Sequence, residues 1–293
     1  MTRFYPCAEV LHDGADELGE GPVWLPETGE VGWVDILGET FHRCRLDTGA
    51  VTSTKLGQPV SAVVRRTGGG LGVAAQEGVL LLDPAGEVER VLPVEEDLPG
   101  NRLSDAAVDP LGRLWFGTLD ADLLHGRGAL YRLGEDGQPV TVLAGTSISN
   151  GLGWSPDGRL LYFVDSATQR VDVLDFDPAT GTASGRRPWV VFGDADGVPD
   201  GLAVDEEGGV WVALWRGGQV RRYDADGELS AVVPLPVRQV TSCAFGGEDL
   251  GTLFITTATV EMSEPERRAE PLAGGLFQVR TEQRGLAQPL LTI

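Results

Sequence analysis

The sequence predicts an all-β chain folded as a six-bladed β-propeller. One pattern recurs six times: a polar residue, a short apolar stretch, a turn carrying Asp, Pro or Gly, and a second aromatic or β-branched run. It is clearest in residues 104–116, 150–164 and 200–212, and weaker copies open near Glu20, Ser61 and Ser242. With Val23, Ala62, Ala107, Leu152, Leu202 and Ala244 taken as equivalent, the copies step by 39, 45, 45, 50 and 42 residues. That is the length of one four-stranded antiparallel blade. Short strands with tight hairpins fill the space between copies, which leaves no length for the helices of a βαβ fold.

The elements follow in order. Residues 31–36 and 40–46 alternate as strands and end at the turn Asp47-Thr48-Gly49. The same rhythm returns in residues 129–133, 170–176 and 219–223, each followed by an Asp/Gly-rich turn. The cluster Gly68-Gly69-Gly70-Leu71-Gly72 lacks the spacing of a phosphate-binding fingerprint and reads as a hairpin turn. Longer irregular stretches at residues 95–103, 120–128, 193–199 and 258–272 are expected on the rims, where propellers carry their binding loops. Residues 275–279 are expected to close the ring with the N-terminal segment, which removes exposed edges. No linker divides the chain, so residues 1–293 are expected to form one domain.

Composition narrows the function. The formal charge is -21, from 44 acidic and 23 basic residues, with Lys55 the only lysine. Such a field disfavours nucleic acid and anionic membranes as partners, and a single lysine disfavours Schiff-base chemistry. The odd cysteine count (Cys7, Cys44, Cys243) has no metal-site spacing and fits a reducing compartment. The N-terminus has no continuous apolar stretch and no segment reaches membrane-helix length, so a soluble cytoplasmic protein is expected. His12, His42 and His125 lack zinc spacing, and His42 is expected at the surface or rim. No Gly-x-Ser-x-Gly elbow is present.

A closed ring delivers one end of each innermost strand to a common axis. Glu20, Asn150 and Asp200 hold the same phase of the repeat, and each precedes a glycine and an apolar strand start. Two carboxylates and an amide oxygen make a partial oxygen shell for a divalent cation, and the adjacent glycines permit close approach of neighbouring backbones. The competing reading is structural, because Asp-Gly and Asn-Gly are also common turn signals.

These residues carry a family resemblance. The stretches Gly19-Glu20-Gly21-Pro22-Val23-Trp24, Asn101-Arg102 through Asp105, residues 108–118, Ser149-Asn150-Gly151, Pro199-Asp200-Gly201, residues 241–247 and Ala273-Gly274-Gly275-Leu276-Phe277 resemble the SMP-30/gluconolactonase/regucalcin-like family, in order along nearly the whole chain. The resemblance implies a metal-dependent sugar lactonase with a central metal site held by Glu20, Asn150 and Asp200. It implies Asp200 as the catalytic residue, and Arg102, Ser104 and Asp122 as substrate-binding residues, with Asp120 the alternative to Asp122. Ser104 and Ala106 depart from the family's Asn-Arg-x-Asn-Asp-Gly stretch: Ser104 stands where the second Asn would be, and a hydroxyl cannot make an amide's paired contacts.

The expected reaction is hydrolysis of a hexono- or pentonolactone, as a γ- or δ-lactone, to its aldonic acid. The expected cofactor is one divalent metal ion, with calcium, zinc, manganese, magnesium and ferrous iron all compatible with oxygen ligands. The partner is a small-molecule sugar lactone, and the chain is expected as a monomer, with a homodimer as the alternative. Two other functions stay open: a related metal-dependent esterase or phosphotriesterase, and a non-catalytic calcium-binding propeller.

Overall fold

The computed structural model describes residues 2–293. Six sheets stand around one axis, and each innermost strand packs on the innermost strands of both neighbouring blades. Blade 1 runs outward through Gly19–Leu25, Glu30–Asp35, Thr40–Arg45 and Val51–Lys55. Blades 2 to 6 open on the innermost strands Val60–Arg65, Asn101–Val108, Ser149–Trp154, Val198–Val204 and Val240–Gly246. The sixfold repeat in the sequence is therefore a sixfold repeat of blades.

The ring closes as expected from the sequence. The N-terminal strand Glu9–His12 pairs antiparallel with Leu276–Arg280 and completes blade 6. Arg3–Phe4 adds a parallel fifth strand to blade 5 beside Leu229–Pro234. The far C-terminus does something the sequence pattern did not announce. Residues 284–293 cross the end of the axis remote from Glu20, with Gly285 N–H donating to Leu250 in blade 6 and Leu291 N–H to Arg65 in blade 2. Glu206 N–H of blade 5 donates to Arg284, and Thr292 N–H to Gly112 of blade 3. One segment thus ties four blades together. Residues 286–289 wall a cavity of about 390 Å³ along the axis, lined by small and aliphatic residues such as Ala62, Ala107, Leu152 and Leu202 together with Asp105, Trp154 and Phe245.

The turn after the innermost strand is a hydrogen-bonding device in blades 3 and 5. Asp205 is fully buried and accepts from the main-chain N–H of Glu207 and Gly209 at 3.0 and 2.8 Å, from Trp211 Nε1 at 2.8 Å and from Arg222 Nε at 2.6 Å. Asp109 repeats the arrangement in blade 3 with Leu111 N–H, Arg113 and Trp115 Nε1. One carboxylate therefore fixes the hairpin and orients the tryptophan that fills the blade core, which explains why Asp, Gly and Trp recur at fixed offsets.

Two local features differ from expectation. The stretch at 258–272 contains a short helix, Glu264–Ala269, whose Ser263 and Glu266 form a capping box. Six residues are too few for an apolar period, so only the cap could have signalled it. His42 is half-buried rather than on the rim: its ring stacks on Trp33 at 5.0 Å, and Nδ1 lies 2.8 Å from Ser53 Oγ. Cys243 lies in the core, and the glycine cluster forms a hairpin turn with Gly68 and Gly69 at positive φ, the turn being as expected.

Replacing Asp205 with Ala leaves the Trp211 indole N–H without its acceptor and the buried Arg222 guanidinium without its nearest carboxylate. Asp205→Ala should lower stability by about 3–5 kcal/mol, read as a shift in the denaturant midpoint, whereas Asp224→Ala at an exposed turn should move it far less.

Candidate functional site

Each innermost strand carries a register shift at the same height: after Glu20, Val60, Leu103, Ser149, Pro199 and Val240. A bulge of this kind turns one side chain out of the alternating pattern. Here six of them in a ring set Glu20, Ser61, Ser104 with Asp105, Asn150, Asp200 and Thr241 around one end of the axis. The glycines beside them are required by space and backbone. A Cβ on Gly151 would meet the Asp200 carbonyl oxygen at 2.7 Å, one on Gly201 would meet Ser242 Oγ at 2.1 Å, and Gly21 adopts φ +51°.

The charges are close enough to govern one another. Burial pushes the Glu20 carboxyl up to about 8, with the charge of Asp105 adding to the rise and the Gly21 N–H and Arg102 opposing it. Asp200, itself buried, is held well above the usual carboxylate range by burial and then by Glu20 and Asp105. Asp105 is pushed up to about 6 by burial, against a hydrogen bond from Ala106 N–H at 2.8 Å. Arg102 is the cation among them; burial lowers its pKa while Glu20 opposes the fall. Its Nη1 donates to the Leu103 carbonyl at 3.0 Å.

The amide of Asn150 is oriented from both sides. Ser104 Oγ donates to Oδ1 at 3.1 Å, and Nδ2 donates to Ser166 Oγ at 2.9 Å. Asp122 is exposed on the turn following Leu114–Asp120, its N–H donating to Asp120 Oδ1 at 2.9 Å. Asp120 lies opposite Asn101 in the ladder, one position from Arg102. The structure therefore gathers Glu20, Arg102, Ser104, Asn150 and Asp200, and leaves Asp122 in a loop at the edge of blade 3 with no bond to Arg102.

Asp105 is the site residue that reasoning from sequence passed over. It sits directly after Ser104, and strict alternation would send the two to opposite faces. The bulge removes that alternation, and a bulge has no sequence signal beyond its neighbours. Among the described residues no group of three or more His, Cys, Asp and Glu side chains stands close enough to hold one ion. A donor set at this end of the axis therefore counts the Asn150 amide beside carboxylates, and all its atoms are oxygen.

The fold and these residues define a class: a six-bladed propeller with oxygen donors from several blades converging at one end of its axis. Residues 18–259 match the family described as SMP-30/Gluconolactonase/LRE-like region, and the chain belongs to that family. It is 36% identical to a regucalcin of Xenopus laevis over 270 residues, covering 90% of each chain. It is 35% identical to a pentonolactonase, XacC, of Haloferax volcanii over 284 residues, covering 93% of this chain and 94% of that one. The structure superposes on that of a calcium-binding protein, regucalcin, of Agrobacterium tumefaciens with a TM-score of 0.95 at 32% identity, covering the whole of both chains.

The raised carboxyls give the cation-free protein a definite pH dependence. Glu20 rises from an ordinary 4.5 to about 8, so between those values the folded state holds a proton that the unfolded chain has released. Stability then falls as pH rises through that window. The melting temperature of protein freed of divalent cations should decline from pH 5 to pH 8, and Glu20→Gln should flatten the decline.

Proposed function

We propose that the chain is a metal-dependent hydrolase of sugar-derived lactones, hexono- or pentonolactones, yielding the aldonic acid. The observation that carries this reading is the convergence of Glu20, Asn150 and Asp200 on one end of the axis, two carboxylates whose pKa is raised by burial and by neighbouring carboxylates, beside one arginine. The names of relatives, a pentonolactonase among them, point the same way. The donors fit a hard divalent cation such as calcium, magnesium or manganese: they are all oxygens, and Arg102 is the one cation set among several buried carboxyls. Glu20, Asn150 and Asp200 would hold the ion, and when bound it supplies Lewis-acid polarisation of the lactone carbonyl.

The remaining work falls to the chain's own side chains. Asp200 orients the attacking water and takes its proton. An activated ester asks little of a carboxylate base once the nearby charges are balanced. Arg102 donates to the ring hydroxyls of the lactone. Ser104 has given its proton to Asn150 Oδ1, so toward substrate its oxygen accepts. Asp122 stands on the exposed loop at the edge of blade 3, from which it would contact substrate. The substrate is a small neutral molecule, in keeping with the charge of -21, and no nucleic acid or membrane partner enters this reading. No helix among the described residues is long and apolar enough to cross a membrane, and three free cysteines suit the cytoplasm.

Acid release from cation-stripped protein on a panel of hexono- and pentonolactones, before and after each divalent cation is restored, tests the proposal. Restored activity above spontaneous hydrolysis is expected, with Asp200→Asn lowering kcat by about 10²–10⁴-fold. Ser104→Asn should change the ranking of lactones more than the rate on the best one. Cation binding with no turnover on any lactone would replace the reading with the calcium-binding role that the name of the Agrobacterium protein carries.

A further inference from the structure

Blades 1, 3 and 5 carry the three carboxylates Glu20, Asp105 and Asp200. In each case the main-chain carbonyl of the preceding residue accepts a hydroxyl from the preceding blade. Thr241 Oγ1 of blade 6 donates to Gly19 O at 2.6 Å, Ser61 Oγ of blade 2 to Ser104 O at 2.7 Å, and Ser166 Oγ of blade 4 to Pro199 O at 2.7 Å. All three hydroxyls are buried. These carbonyls lie at or next to the register shifts, where the ladder no longer defines strand position. A hydroxyl has one proton, and at Ser166 the accounting is complete: it donates to Pro199 O and accepts from Asn150 Nδ2 at 2.9 Å.

We propose that Ser61, Ser166 and Thr241 are positioning residues that set the spacing of the carboxylates across the three blade junctions, and that Ser166 couples Asn150 to Asp200. This rests on the reading of the site as a cation centre. The physical reason is repulsion. Carboxylates converging from three blades on one end of the axis repel when ionised, and a bulged strand end resists that push weakly. A short bond from the neighbouring blade, made at the residue just before each carboxylate, holds the oxygens at a fixed separation. It thereby reduces the rearrangement that cation binding would otherwise require. Groups that orient metal ligands in this way commonly govern affinity by about 10–100-fold.

The test is cation affinity, measured with calcium and with manganese by competition against a chromophoric chelator. It would use the full chain and the variants Ser61→Ala, Ser166→Ala and Thr241→Val. Each variant should bind about 10-fold more weakly or worse, with Ser166→Ala the most affected because it frees two ligand-bearing strands. Ser166→Thr and Thr241→Ser, which keep the hydroxyl, should restore most of the affinity. Melting of the cation-free proteins separates positioning from a merely structural role. Variants that melt lower yet bind the cation as tightly as the parent would overturn the proposal. If Ser166→Ala does not fold, Ser166→Cys, similar in shape and a weak donor, should bind less tightly than Ser166→Thr; equal affinity would overturn the proposal. Failure of the parent chain to bind either cation would overturn the cation reading itself, a different result from variants that match a binding parent.

Discussion

Three carboxylates held largely out of water at one end of the axis are the constraint on which the rest of the molecule depends. Glu20, Asp105 and Asp200 come from alternate blades; burial raises the pKa of all three, Asp105 adds to the rise at Glu20, and both add to it at Asp200. Bringing them together costs free energy, and the scaffold must be rigid enough to bear that cost without opening. The closed ring meets this requirement in layers. Blade cores are packed around buried tryptophans anchored by carboxylates such as Asp109 and Asp205, and the junctions between blades are bonded next to the charges. The arrangement agrees with the general observation that strained or unfavourable groups persist only where the surroundings over-determine them.

Closure is the second requirement, because a ring of blades is only as stiff as its weakest junction. Here the two ends of the chain act on different parts of it. The N-terminal strand Glu9–His12 completes blade 6 and Arg3–Phe4 extends blade 5, so the start of the chain spans the junction at the rim. Residues 284–293 bridge blades 5, 6, 2 and 3 across the floor, opposite the charged end. The axial cavity between that floor and the carboxylates has Asp105 among its lining residues. Burial leads the rise at both Asp105 and Asp200, and at Asp200 the charges of Glu20 and Asp105 add to it.

Much of this was legible in the sequence because the repeat is physical. Asp, Gly and Trp recur where a carboxylate must cap a turn and orient an indole, and Asn-Gly and Asp-Gly recur where backbones come too close for a Cβ. Glu20, Asn150 and Asp200 could be picked out because they occupy one phase of that repeat. What remained hidden depends on contacts between blades. Ser61, Ser166 and Thr241 are ordinary residues in ordinary strands and turns, and only the closed ring shows that their hydroxyls meet carbonyls of the next blade. Asp105 was hidden by a bulge, and the floor segment at 284–293 by a lack of periodicity in residues that pair with turns rather than strands. The tertiary constraint, not local propensity, places all of them.

Ser104 shows how one departure from the family pattern redistributes roles. An asparagine there would offer a donor and an acceptor at the end of a longer side chain. The serine hydroxyl is buried, and its proton goes to Asn150 Oδ1, so it helps fix the amide on the next blade and leaves only an acceptor for a substrate. With a serine in place of an asparagine, blade 3 offers a shorter polar side chain at this height than the resembled pattern would. On the proposed reading, discrimination among sugar hydroxyls would fall to Arg102 on the strand and to the loop bearing Asp122. That loop is built from exposed residues with few tertiary bonds, including Leu123 and Leu124, and can change in sequence without disturbing the carboxylates. In this chain the bonded, buried groups are concentrated at the axis, and the exposed loop that can vary lies one blade edge away from it.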